Sequence, residues 1–167
     1  IIMIRNIIIT FMIMSVSWVT NAQETRYYDA SKLTVIGKAI PTSKDFTRID
    51  TSAYRFNDSV IEEYACHSTG LAVLFATDSP FIKARWQTSD KNASENMTAI
   101  AQKGLDLYIR QNGEWVFAGV GRPMMSKGPE YASHESTIVK SMAPGRKECL
   151  LYLPLYDRLD SLFIGVD

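Results

Sequence analysis

The residues best equipped for nucleophilic, acid–base or metal chemistry are two histidines and two cysteines. Cys66 and His67 are adjacent, a pairing that a thiolate nucleophile or a Cys/His metal site could use. Zinc sites need ligands in short paired spacings, and Cys66, Cys149, His67 and His134 lack them, so neither a metal nor a cofactor is expected. His134 sits in the segment Tyr-Ala-Ser-His-Glu-Ser-Thr (131–137), beside Ser133 and Ser136. A Ser/His/acid triad is defined in space rather than along the chain. The segment nevertheless reads as a plain polar loop, and no catalytic residue is assigned. Each cysteine lies in a hydrophobic run, so one disulfide and two buried thiols are both open readings.

A second kind of chemistry, recognition by rings and charges, is concentrated in Tyr-Ile-Arg-Gln-Asn-Gly-Glu-Trp-Val-Phe (108–117). Asn112-Gly113 is the pair favoured in a two-residue type I′ hairpin, because both positions tolerate positive φ. An ideal hairpin pairs Arg110 with Trp115, Ile109 with Val116, Tyr108 with Phe117, Leu107 with Ala118, Asp106 with Gly119 and Leu105 with Val120. Alternation then gives an apolar core face of Leu105, Leu107, Ile109, Val116, Ala118 and Val120. The opposite face carries Asp106, Tyr108, Arg110, Trp115 and Phe117, too aromatic for ordinary solvent exposure, so a ligand or another domain is expected to cover it. Tyr27 and Tyr28 are candidates to join it. Asp106 among the rings is read as an inward carboxylate accepting bonds from backbone N–H groups, Arg110 or Arg85, or as part of a domain contact or ligand pocket.

The elements that position these residues follow from the punctuation of the chain. Apolar stretches recur about every ten residues between Gly, Pro, Asn, Asp and Ser, the layout of an all-β, jelly-roll-like sandwich of two antiparallel sheets. Strands are expected at 33–38, 46–49, 60–66, 71–77, 81–87, 105–110, 114–120, 136–141, 148–153 and 161–166, with no long helix. Residues 60–66 also fit helical spacing, but the surroundings favour a strand. Residues 71–76 are apolar on both faces and read as a central strand covered on both sides. In 81–87, Ile82, Ala84 and Trp86 share one face, so Trp86 reads as core rather than as a sugar platform.

At the N-terminus Arg5, the apolar run 7–14 and Thr20-Asn21-Ala22 read as an export signal over 1–22, with cleavage before Gln23. The mature unit is then 23–167, one domain, periplasmic or secreted. The apolar run to Val19 is short against the ~20 residues of a spanning helix, so no stable membrane span is expected after cleavage. Eighteen basic and eighteen acidic side chains cancel, which removes the positive field a nucleic-acid partner requires. A 46% hydrophobic content suits a packed core. The sequons at Asn92 and Asn96, and the short O-glycosylation-like patterns Asp58-Ser59-Val60 and Asp160-Ser161-Leu162, support no further reading.

Gly104-Leu105-Asp106-Leu107-Tyr108 resembles the Gly-x-Asp-Leu-Tyr strand of the N-terminal domain that precedes bacterial SGNH (GDSL-type) esterase domains. Ser68-Thr69-Gly70-Leu71, the run 75–79, Ala84-Arg85-Trp86 and the closing run 151–156 are similar in order and spacing, so the resemblance spans roughly 27–166. It implies a β-sandwich accessory domain, with Gly104, Asp106, Leu107 and Tyr108 as motif residues, structural or at an interface. It further implies an SGNH catalytic domain downstream, carrying a Ser nucleophile block and an Asp-x-x-His pair, that cleaves esters of acylated carbohydrate. Neither signature occurs here: Tyr64 and Tyr131 stand three residues before His67 and His134. Asp167 falls where the resemblance would put the linker to that domain. From a different class, a stand-alone carbohydrate-binding module would instead leave the face of Tyr108, Arg110, Trp115 and Phe117 open to polysaccharide. Coplanar open rings favour that reading, and burial favours the scaffold. A third reading, in which the chain folds properly only when docked, expects an apolar patch over 152–163 outside the core.

Overall fold

The punctuated apolar stretches become nine β-strands and two short α-helices among the described residues, which are 24–40, 46–92, 94–124 and 129–167 of the computed structural model. In chain order these are β1 (Arg26–Asp29), β2 (Thr34–Ile36), α1 (Ser59–Ala65), β3 (Ala72–Thr77), β4 (Ile82–Thr88), α2 (Ala99–Lys103), β5 (Leu105–Gln111), β6 (Glu114–Gly121), β7 (Ser133–Val139), β8 (Lys147–Tyr152) and β9 (Leu159–Val166). The export signal expected at 1–22 lies outside the described residues. Among the described residues, no helix is long and apolar enough to cross a membrane.

The strands form two antiparallel sheets, β1-β9-β4-β7 and β2-β3-β8-β5-β6. Only β2 with β3 and β5 with β6 are chain neighbours that also pair. At every other step from strand to strand the chain changes sheet, as a jelly-roll-like sandwich requires. The core lies between the sheets: Leu71, Val73, Leu105, Leu107, Cys149 and Leu151 from one side, Ile82, Ala84, Trp86, Leu162 and Ile164 from the other. Trp86 is buried as expected, and its indole Nε1 donates to the Lys103 carbonyl at 2.9 Å.

Three expectations are corrected. Where a strand was expected at 60–66 the chain forms α1 (Ser59–Ala65), because the Asp58 carboxylate accepts from the Val60 and Ile61 amides at 2.7 and 3.3 Å and starts a helix there. The region 46–49 is a bend rather than a strand: Phe46 is buried, and its carbonyl accepts the Ser68 hydroxyl at 2.6 Å. The stretch 71–76 is an interior strand, but its outer face is not covered, since Leu74 is half-buried and Ala76 exposed.

The hairpin register is right near the turn and shifted beyond it. Asn112 and Gly113 take positive φ, 51° and 89°, and Arg110, Ile109 and Tyr108 face Trp115, Val116 and Phe117. A bulge then makes Ala118 the extra residue, so Leu107 faces Gly119, Asp106 faces Val120 and Leu105 faces Gly121. The predicted core face is therefore half wrong. Leu105, Leu107 and Ile109 are buried, Val116 is 42% exposed at the tip of an edge strand, Ala118 is half-buried, and Val120 turns to the outer face beside Asp106. The cause is tertiary. A side chain at Gly119 would collide with the Ile138 carbonyl of β7, so β6 bends there to meet the edge of the other sheet.

Candidate functional site

Cross-strand register assembles the outer face of the five-stranded sheet from named rows. One runs Ile36, Ala72, Tyr152, Asp106, Val120, the next Thr34, Leu74, Leu150, Tyr108, Phe117, and the third Ala76 and Glu148, then Arg110 beside Trp115. Tyr108 packs edge-on against both Phe117 and Tyr152, with ring centroids 5.7 Å apart in each pair and interplanar angles of 76° and 82°. Phe117 is 56% exposed and Trp115 38%. Arg110 Nη1 lies 3.5 Å from Glu148 Oε2, and its guanidinium sits 5.8 Å from the Trp115 ring centre. Trp115, Arg110, Glu148 and Leu74 line a shallow groove of about 370 Å³.

The candidate face of Tyr108, Arg110, Trp115 and Phe117 is thus brought together as the sequence implies, and it is open. Tyr27 and Tyr28 do not join it, because β1 belongs to the other sheet. Asp106 points outward and is exposed rather than facing in; Arg110 pairs with Glu148, and Arg85 with Glu135. The expected apolar patch over 152–163 is divided, with Tyr152 on this face and Phe163 on the opposite sheet, while Leu153, Leu159 and Leu162 are core.

The remaining motif residues explain why the strand starts where it does. Leu107 is fully buried. Gly104 follows α2 directly, donates its amide to Ile100 O at 3.0 Å, and has no room for a Cβ, which would strike that same carbonyl. The chain can therefore leave the helix and enter β5 in one residue. Residues 25–167 match the family model described as GxDLY, the N-terminus of SGNH-hydro-type esterases. The chain belongs to the GxDLY family.

Solved structures agree with that assignment. The GxDLY domain is 44% identical to a structure described as a GDSL-like lipase from Bacteroides ovatus, with a TM-score of 0.79, covering 86% of this chain and 41% of the other. It also matches the salicylyl-acyltransferase SsfX3 of a tetracycline biosynthetic pathway at 17% identity and a TM-score of 0.56, over 87% of this chain and 40% of that one, a likeness of fold alone. The chain thus spans about two fifths of the length of these structures. No curated protein matches the sequence.

In the GxDLY domain the last residue of α2, Lys103, anchors a buried polar cluster that no motif or spacing announces. Its ammonium donates to Ser89 O at 2.6 Å, lies 3.2 Å from Asp157 Oδ2, and sits 4.2 Å from the Tyr131 ring centre. Burial pulls the Lys103 pKa down, against the pull of Asp157. Asp157 also accepts from Ser89 Oγ at 3.0 Å and from the Arg158 amide at 2.7 Å. The cluster joins α2, the end of β4 and the β8–β9 loop without a linear signal, because its members are 14 to 68 residues apart.

The two histidines are held in different ways, His134 by hydrogen bonds and His67 by neighbouring rings at the edge of a cleft. His134 Nδ1 accepts the Met124 amide at 3.2 Å, so the ring proton resides on Nε2, 3.0 Å from Thr88 Oγ1, and the Thr88 hydroxyl donates on to Ser89 O at 3.2 Å. Burial, reinforced by the charge of Lys103, brings the His134 pKa down to about 4, so the ring is neutral. His67 is buried between the rings of Tyr64 and Tyr156, and burial lowers its pKa too. Cys66 and Cys149 are free thiols; burial pushes Cys149 up to about 11 and leaves it inert. Among the described residues no group of three or more His, Cys, Asp or Glu could hold a metal ion.

Proposed function

We propose that this GxDLY domain is the non-catalytic accessory part of an exported SGNH-type esterase acting on acylated carbohydrate, and that a downstream catalytic domain docks on the outer face of its five-stranded sheet. The observation that carries the reading is the run of exposed Tyr152, Phe117 and Trp115 with half-buried Tyr108 and Leu74, over buried Leu150, with Arg110 and Glu148 at its margin. A contiguous aromatic patch with an arginine at the edge has the composition of a protein interface. Its rings meet edge to face rather than in one plane, which suits packing against a protein and offers no flat platform to a sugar ring. That geometry favours the scaffold over the stand-alone binding module on this face.

The non-catalytic role is supported by the state of His134, whose two ring nitrogens are both engaged in structural hydrogen bonds. Ester hydrolysis would come from the other domain, by a Ser nucleophile with a His base and an oxyanion hole, chemistry that needs no metal. Export rests on Arg5, the apolar run 7–14 and the small residues before Gln23, and puts the domain in the periplasm or outside the cell. The test compares p-nitrophenyl acetate hydrolysis by residues 23–167 with that of the chain extended through its downstream reading frame. Activity in the extended protein alone is expected. Turnover by residues 23–167 would overturn the reading and direct attention to His134 and His67.

A further inference from the structure

The outer face of the four-stranded sheet has a different chemistry. Its outward residues include Phe163 and Ser161 on β9, Arg85 and Gln87 on β4, and Glu135 and Ser133 on β7. With Met124 they line an open cleft of about 460 Å³, floored by the buried rings of Trp86 and His134.

The charges in the cleft are already spent on each other. Arg85 Nε lies 3.1 Å from Glu135 Oε2, the guanidinium stacks 4.0 Å from the Tyr27 ring centre, and the Tyr27 hydroxyl donates to Glu135 Oε1 at 2.9 Å. Hydrogen bonding to Glu135 raises the Arg85 pKa, and the same bond lowers that of Glu135, so both stay ionised and neutralise one another. Tyr27 is held flat because position 165 is glycine: a Cβ there would come within 2.7 Å of the ring. The triad is therefore set before any ligand arrives, and it presents no net charge that would select an ion.

What remains for a ligand is uncharged and directional. Ser161 Oγ donates to Gln87 Oε1 at 3.4 Å, which uses the oxygen of that amide and leaves its two N–H donors for a guest, beside the Ser133 hydroxyl. Phe163, 39% exposed, forms one wall and Met124, 52% exposed, the other. Two strand spacings separate β9 from β7, so the row from Ser161 through Gln87 to Ser133 spans roughly 10 Å. Apolar walls, a lining of hydroxyls and an amide, and a neutralised ion pair fit a pyranose ring, whose C–H face stacks on an aromatic while its hydroxyls take bidentate hydrogen bonds.

We propose that this cleft is a saccharide-binding site for a neutral pyranose chain, on the sheet opposite the docking face. The inference deepens the accessory-domain reading and rests on it for the role of the sugar: the cleft would hold the polysaccharide that the esterase deacylates.

The experiment is affinity electrophoresis and calorimetry of residues 23–167 against soluble xylan, glucomannan and β-glucan. At least one should retard the protein, and Phe163→Ala and Gln87→Ala should each weaken binding about ten-fold, the loss of one stacking or bidentate contact. Both side chains lie on the surface, and melting curves of the variants verify their folding. Absence of binding to all three polysaccharides, unchanged binding in Phe163→Ala, or a loss that follows Trp115→Ala instead of Phe163→Ala would each overturn the site. Hydrolysis of p-nitrophenyl acetate by the extended protein involves no sugar, so it reports on the accessory-domain reading separately.

Discussion

His134 is held neutral by its surroundings, and that makes stability depend on pH in a defined direction. Its native pKa of about 4 lies below the ~6.5 of an unfolded histidine, so on acidification the unfolded chain binds the proton first. Native stability is unaffected above pH 6.5 and falls as the pH drops from there toward 4, by on the order of 3 kcal/mol for this group. His67, lowered by burial as well, acts in the same direction. Glu135 has a lowered pKa, so its contribution is present above an ordinary glutamate pKa and is lost only below it. The window from pH 6.5 to 5 therefore belongs to the histidines. Urea unfolding across that window should show a clearly shallower slope for His134→Gln than for the parent, and an unchanged slope would remove His134 as the source.

At the scale of elements, the bulge at Ala118 and the glycine after it determine how the two sheets meet. The obstacle a side chain would find at Gly119 is the Ile138 carbonyl, a backbone group that cannot rotate away. Gly119→Val should cost about 1–3 kcal/mol, toward the upper end, read as a lower melting temperature. Hydrogen exchange should quicken first in β6 and β7, which this contact joins; uniform acceleration throughout the sandwich would argue against the close approach. Most strands were legible in the sequence because alternation and turn residues are local, as in β4, β8 and the Asn112-Gly113 turn. Helix α1 was misread because the β-rich surroundings were set above the helical spacing of Val60, Ile61, Tyr64 and Ala65, of which the first three are exposed and Ala65 is buried. The Asp58 cap, a local signal, outweighed those surroundings.

Across the whole molecule, the two outer sheet faces divide by chemistry, aromatic on one side and polar around a neutralised ion pair on the other. Trp115→Ser with Phe117→Ser should change the melting of residues 23–167 little, since both rings are substantially exposed. In the extended protein the same pair should uncouple the domains and split one melting transition into two. A single unshifted transition would move the docking surface elsewhere. The aromatic face was readable because Tyr108, Trp115 and Phe117 lie within one hairpin. The cleft was not, because Tyr27, Arg85, Glu135 and Phe163 come from four strands.

The amino-acid sequence by itself determined the class of fold, the burial of Trp86, the turn at Asn112-Gly113 and the likeness to the GxDLY domain. These depend on period-two patterning, on glycine's tolerance of positive φ and on motif order, all of which are written along the chain. Tertiary structure alone decided that Asp106 faces out, that Val120 changes sides, that Lys103 is buried against Asp157, and that His134 is locked neutral by its hydrogen bonds and burial. Each of those outcomes follows from contacts between segments distant in sequence, where steric room and desolvation, rather than local preference, set the free energy.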